Sequence, residues 1–203
     1  MRIVALASHG GSIVQTVVQA CHRDTLDAAV VLVISNNSDA KALERAKASG
    51  IATKHLSSKT HPTDEALDTA LCDALVQADA DCVLLGGYMK KLGPKVLNQF
   101  SGRIINTHPS LLPKYGGQGF YGRRVHEAVV EAGDTESGAT VHLVEEDYDT
   151  GPILAQVKIS VDSTDTVDSV ERRVRAAERR LIVAALQHLS EILDAPSVTQ
   201  KAS

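Results

Sequence analysis

Five short runs at residues 3–7, 29–34, 51–56, 82–85 and 103–106 recur through the first half of the chain, with helical periodicity between most of them. Each is too short for a stable helix, so the runs predict strands, and the apolar ones at 3–7 and 29–34 suit strands buried on both sides. Strands separated by helices pair in parallel, which confines the chain to an α/β architecture. The first run reads as a central strand. The intervening helices are expected over residues 14–20, from a turn and N-cap cluster Asn36-Asn37-Ser38-Asp39 to Ala48, over residues 64–78 with Leu67, Leu71, Ala74 and Leu75 on one face, and from Pro94 to Phe100.

The pattern changes after residue 106. Residues 123–131 are helical. Residues 138–144 alternate, with Thr140 and His142 on one face and Val141 and Leu143 on the other. A turn at 145–151 leads to a returning run at 152–161, so this pair is expected to be antiparallel. Val167, Val170, Val174, Ala177, Leu181 and Ala185 recur at helical spacing and predict a long C-terminal helix. Arg175 and Glu178 read as neighbours on its charged face, an ion pair of little consequence. Residues 195–203 read as a frayed tail. The fold class is therefore α/β: an open, mostly parallel Rossmann-like sheet flanked by helices, with a C-terminal antiparallel strand pair and a long C-terminal helix.

Composition enters mainly by exclusion. A net charge of −4 over 203 residues gives no general affinity for nucleic acid or an anionic membrane. Cys21, Cys72 and Cys82 lack metal-ligand spacing and read as inert thiols in a reducing compartment. There is no apolar run long enough to span a bilayer, and the N-terminus enters a strand without a secretion signal, so a cytoplasmic location is expected.

Chemistry concentrates in two places. The segment Arg103-Ile104-Ile105-Asn106-Thr107-His108-Pro109 starts as a buried strand and ends on an amide and an imidazole before a proline stops it. Period-two alternation puts Asn106 and His108 on one side of that strand end, where ligands collect in open α/β sheets. Downstream lies Asp147-Tyr148-Asp149-Thr150-Gly151-Pro152, whose Asp149 is expected to fold back to His108. Asn106 could donate to a carbonyl oxygen as it becomes an oxyanion, His108 could add a second donor or move a proton, and Asp149 could raise the His108 pKa and receive a proton. Such a set suits attack by an amine or water on an activated carbonyl and needs no metal. By residue type alone, a structural histidine and a plain Asp-containing turn remain equally open.

Other features frame the site. The turn Ser8-His9-Gly10-Gly11-Ser12 before a helix suits a phosphate. Gly86 and Gly87 at a strand end point to close backbone approach to a ligand or a tight bend. The Gly-rich loop at 114–122, with two exposed-looking tyrosines, suits a mobile lid.

Asn106-Thr107-His108-Pro109-Ser110-Leu111-Leu112-Pro113 with Asp149-Thr150-Gly151-Pro152 resembles the folate-dependent formyltransferases. So do the opening strand and Gly-Ser turn, Ser35-Asn36, Gly87-Tyr88-Met89 and Gly138-Ala139-Thr140-Val141-His142. The resemblance covers nearly the whole chain. It implies that Asn106, His108 and Asp149 are a catalytic triad, and that the formyl group of 10-formyltetrahydrofolate, a co-substrate, passes to the primary amine of glycinamide ribonucleotide in purine synthesis. It implies that folate lies against Met89, Lys90, Leu92, Val144 and Asp149, the phosphate at Gly11, Ser12 and Ile13, and the ribose beside Glu178. It further implies one formyltransferase domain over residues 1–203, with a nucleotide- and phosphate-binding half (1–100) and a catalytic, folate-binding half (101–194). Partners are small-molecule substrates, with the chain a monomer or homodimer. The family usually carries asparagine where Ile13 stands and often arginine where Lys90 stands. Related activities imply other acceptors: water, an amino sugar nucleotide, or none in a binding protein.

Overall fold

The computed structural model describes residues 1–194, with side chains through 191; the tail expected at 195–203 lies outside the described residues. Seven strands form one sheet in the order β3-β2-β1-β4-β5-β6-β7. β1 (Arg2–Leu6), β2 (Ala29–Ser35), β3 (Ala52–His55), β4 (Cys82–Leu85) and β5 (Ile104–His108) are parallel. β6 (Glu136–Leu143) and β7 (Ile153–Ser160) run antiparallel to their neighbours, as the alternation predicts.

Alternation along the central strands builds two cores. Ile3, Ala5, Val33, Leu84, Ile105 and Val141 pack beneath α1 (Ser12–His22), α2 (Lys41–Ala48) and the long α6 (Val167–Asp194). Val4, Leu6, Ile34, Val83, Leu85 and Ile104 pack beneath α3 (Asp64–Gln77) and α4 (Pro94–Gln99). A smaller cluster joins α5 (Arg123–Glu131) to β6 and α6 through Val129, Ala139, Val170 and Val174.

Strand order reverses between β1 and β4, where chain connections leave in opposite directions and open a crevice. The glycines after β4 serve this junction. A Cβ on Gly86 would meet Val14 of α1 at 2.7 Å, so the close approach expected there is to a helix. Gly87 turns the chain at φ +80° and accepts the Ser8 N–H at 3.0 Å.

One helix start differs from expectation. Asn36, Asn37, Ser38 and Asp39 do not cap α2, whose N-cap is Ala40 without a side-chain bond. Asn37 Oδ1 instead accepts the Asp39 N–H at 3.2 Å, and Asn36 Oδ1 accepts the Ser8 hydroxyl at 2.6 Å. One of these side chains is taken up within its own turn and another by the turn after β1, so neither caps the helix.

Candidate active site

Asn106 and His108 stand on one face of β5, and antiparallel pairing sets His142 opposite Asn106 and Thr140 opposite His108. The loop after β6 returns over this face and brings in Asp149, whose backbone adopts φ +58°, a conformation that aspartate tolerates better than most residues. Gly151 lets the loop lie close, since a Cβ there would fall 2.1 Å from the Leu143 carbonyl oxygen. Asp149 thus does fold back to His108. Its Oδ2 lies 3.4 Å from His108 Nδ1, and its Oδ1 lies 3.4 Å from both Asn106 Nδ2 and His142 Nε2.

Hydrogen-bond partners set the tautomers. The Tyr115 carbonyl, which can only accept, lies 2.7 Å from His108 Nε2, so that nitrogen carries a hydrogen. In the neutral ring Nδ1 is then an acceptor aimed at a carboxylate. The pair is one proton short of a hydrogen bond. The Leu143 carbonyl engages His142 Nδ1 at 2.8 Å by the same reasoning, leaving His142 Nε2 to accept from Asn106 Nδ2 at 3.2 Å. The Gly117 N–H donates to Asp149 Oδ2 at 2.9 Å.

Electrostatics corrects one expectation. Burial lowers the His108 pKa, and the Asp149 charge and Tyr115 carbonyl oppose it without overcoming it. Asp149 was expected to raise that pKa; it does pull upward, but desolvation of a side chain only 5% exposed wins. Burial pushes the Asp149 carboxyl up, while the His142 and His108 rings when they carry a proton, and the Gly117 N–H, pull it further down, so the carboxyl lies below the usual carboxylate range.

The cluster opens onto a cleft between the loops after β4 and β6, lined among others by Lys90, Leu92, Val144 and Tyr148. Of the residues expected around folate, Lys90, Leu92, Val144 and Asp149 share this cleft. Met89 contributes backbone structure: its N–H donates to Ser8 Oγ at 2.7 Å, and its residue surface is 40% exposed.

The turn after β1 is not among the residues that line that cleft. Gly11 sits at φ +61°, and a Cβ on it would meet Ala42 at 2.7 Å. α1 starts there without a side-chain cap, so the helix dipole and first-turn amides are free of a competing side-chain acceptor. Ser12 is exposed, whereas the Ile13 side chain is buried in the core and can offer only its backbone.

Glu178 also departs from expectation. It is a buried residue, 9% exposed, whose Oε1 accepts the Thr107 hydroxyl at 2.8 Å from the opposite face of β5. Burial raises its pKa. Arg175, expected beside it, pairs with Glu171. The Gly-rich loop is tied to the cluster through Tyr115 and Gly117, and Tyr115 is half-buried rather than exposed.

His142 and the backbone groups of Tyr115 and Gly117 were not singled out from sequence as members of the site. For His142 a partial signal existed: Thr140 and His142 share a face, and an antiparallel pairing with β5 in the observed register, though not in one slipped by a residue, aims that face at Asn106 and His108. No sequence signal marks a loop carbonyl or amide. Among the described residues no cluster of His, Cys, Asp and Glu forms a metal-binding group, and no helix is long and apolar enough to cross a membrane.

A family model described as formyl transferase matches residues 1–186. A phosphoribosylglycinamide formyltransferase of Haemophilus influenzae is 38% identical over 190 residues, covering 94% of this chain and 87% of that protein. The Escherichia coli phosphoribosylglycinamide formyltransferase is 38% identical over 181 residues, covering 89% of this chain and 83% of its own. Among solved structures, glycinamide ribonucleotide transformylase 1 of Symbiobacterium toebii superposes with a TM-score of 0.88 at 34% identity, over 94% of this chain and 88% of that one.

Proposed function

The chain belongs to the formyl transferase family, and on that premise we propose that it transfers the formyl group of 10-formyltetrahydrofolate to the primary amine of glycinamide ribonucleotide in purine biosynthesis. The observation that carries this reading is the proton-deficient pair His108–Asp149 beside Asn106 at the mouth of the cleft.

An amine that attacks a formyl carbon becomes cationic as the carbonyl oxygen becomes anionic. The Asn106 amide donates to that oxygen, exchanging its longer partner Asp149 Oδ1 at 3.4 Å for the new charge. The amine proton moves to the Asp149–His108 pair, which has an acceptor on each side and no hydrogen between. Collapse of the tetrahedral intermediate breaks the bond from carbon to folate nitrogen, and the same proton can go to that leaving nitrogen. Electrons and protons balance without a metal or a covalent enzyme intermediate.

The subsites follow the same division. Folate lies along Lys90, Leu92 and Val144, with Met89 shaping the loop. The phosphate takes the backbone amides at Gly11, Ser12 and Ile13, and Glu178 accepts from the ribose hydroxyls. Within one domain, residues 1–100 thus supply the phosphate turn and the edge of the folate cleft at Lys90 and Leu92, and residues 101–194 supply the reacting groups, Val144 and the ribose-side Glu178. Measuring folate product formation by ultraviolet absorbance, with and without glycinamide ribonucleotide, tests the reading. Acceptor-dependent turnover is expected; turnover that ignores the acceptor would identify a hydrolase instead, and none in either case would refute transfer to this amine.

A further inference from the structure

The segment Lys114-Tyr115-Gly116-Gly117 gives the cluster two backbone groups, the Tyr115 carbonyl for His108 Nε2 at 2.7 Å and the Gly117 N–H for Asp149 Oδ2 at 2.9 Å. Tyr115 itself sits at φ +55°, a left-handed conformation that a bulky residue holds only where its surroundings impose it. Asp134 supplies that restraint. Its Oδ2 accepts the Tyr115 hydroxyl at 2.8 Å, and both of its oxygens accept from Lys114 Nζ at 2.7 Å. Asp134 is in turn fixed at the end of α5, where Gly133 turns at φ +65° and the Asp134 N–H donates to the Val129 carbonyl at 3.2 Å.

We propose that Asp134 is a positioning residue for the reacting pair, holding Lys114 and Tyr115 so that the Tyr115 carbonyl meets His108 and the Gly117 N–H meets Asp149. The proposal rests on reading His108 and Asp149 as that pair. Its chemical consequence is specific. The carbonyl keeps the hydrogen on Nε2, so Nδ1 stays an acceptor facing the carboxylate. Freed from the carbonyl, the ring can put its hydrogen on Nδ1, bond Asp149, and fill the place that the amine proton must enter. A residue that touches no substrate would then control the proton acceptor.

Nitrogen NMR of the histidine rings in the full chain tests this directly. The wild type is expected to show His108 hydrogen on Nε2, and Asp134→Ala to populate the Nδ1–H form. In the same variant kcat should fall about tenfold or more, as misplacement of a reacting group does, while KM for the amine changes less than about threefold. Asp134→Asn keeps an acceptor for the Tyr115 hydroxyl and should recover part of both. Tyr115→Phe, which removes only a hydroxyl, should move the tautomer the same way by less and covers the case in which Asp134→Ala does not fold. A folded Asp134→Ala, or failing that Tyr115→Phe, with the wild-type tautomer would overturn the proposal, even if melting temperature dropped. The NMR measurement needs no turnover, so an inactive wild-type chain would count against formyl transfer while the ring tautomers still decided the role of Asp134.

Discussion

Asp149 Oδ2 stands 3.4 Å from His108 Nδ1 while accepting the Gly117 N–H at 2.9 Å. One carboxylate oxygen therefore meets a donor on one side and an imidazole acceptor on the other. The contact with His108 becomes favourable only when a proton arrives.

Asp149→Asn should abolish transfer almost completely, by about a hundredfold or more in kcat. Asparagine keeps the shape and tolerates φ +58° as aspartate does, so the loop should stay folded. It cannot take the amine proton. Circular dichroism and the ultraviolet assay together check this, and near-normal turnover would exclude the proton-accepting role.

Acid should destabilise the protein in two stages. Burial lowers the pKa of His108 and also of His126, a residue only 1% exposed whose Nδ1 has no partner among the described residues. Unfolded histidines titrate near about pH 6.5, so between that value and the lower folded values the unfolded chain binds more protons. The stability that these histidines contribute is complete above that window and is lost as pH falls through it. Asp149, also lowered, contributes stability that is present above about pH 3.9 and lost further down. His126→Leu should flatten the upper stage in melting curves recorded across both windows. An unchanged upper stage would show that His126 takes up no proton on unfolding.

The start of α4 depends on a carboxylate from another helix. Asp68, 7% exposed, accepts the Lys95 N–H at 2.8 Å and the Val96 N–H at 3.2 Å. Asp68→Ala removes this cap and should cost about 1–2 kcal/mol in denaturant unfolding. A Cβ on Gly93 would lie 2.2 Å from the Asp68 Cγ, so Gly93→Ala should destabilise by displacing the same carboxylate. The double variant should then lose less than the sum of the two, because both act on one interaction. Full additivity would argue that the two residues are independent.

Glu178→Ala should weaken ribonucleotide binding about tenfold, the usual loss for a hydrogen bond to a charged group, and leave folate binding nearly unchanged. Glu178 is reached from the Thr107 face of β5, away from the cleft that holds Lys90 and Leu92. Calorimetric titration of each ligand separates the effects. Equal losses for both would place the ribose elsewhere.

Much of this was legible in the residues. The runs at 3–7 and 82–85 are apolar on both faces and could only be interior strands; the spacing from Val170 to Ala185 could only be a helix with one buried side. Asn106 and His108 were placed on one face by period two alone. Local steric rules and the exclusion of apolar side chains from water act over a few residues, and so they are written in short stretches.

Tertiary structure decided which of these local facts meet. That Glu178 would be buried against Thr107 rather than paired with Arg175 depended on how α6 lies over β5. The addition of His142 to the cluster came from strand register, and the His108 tautomer came from a carbonyl delivered by a loop that Asp134 restrains. The direction of the His108 pKa followed from burial, a property of the whole packed chain. Convergence of groups remote in sequence is a matter of packing free energy summed over many contacts, and no single stretch of residues contains it.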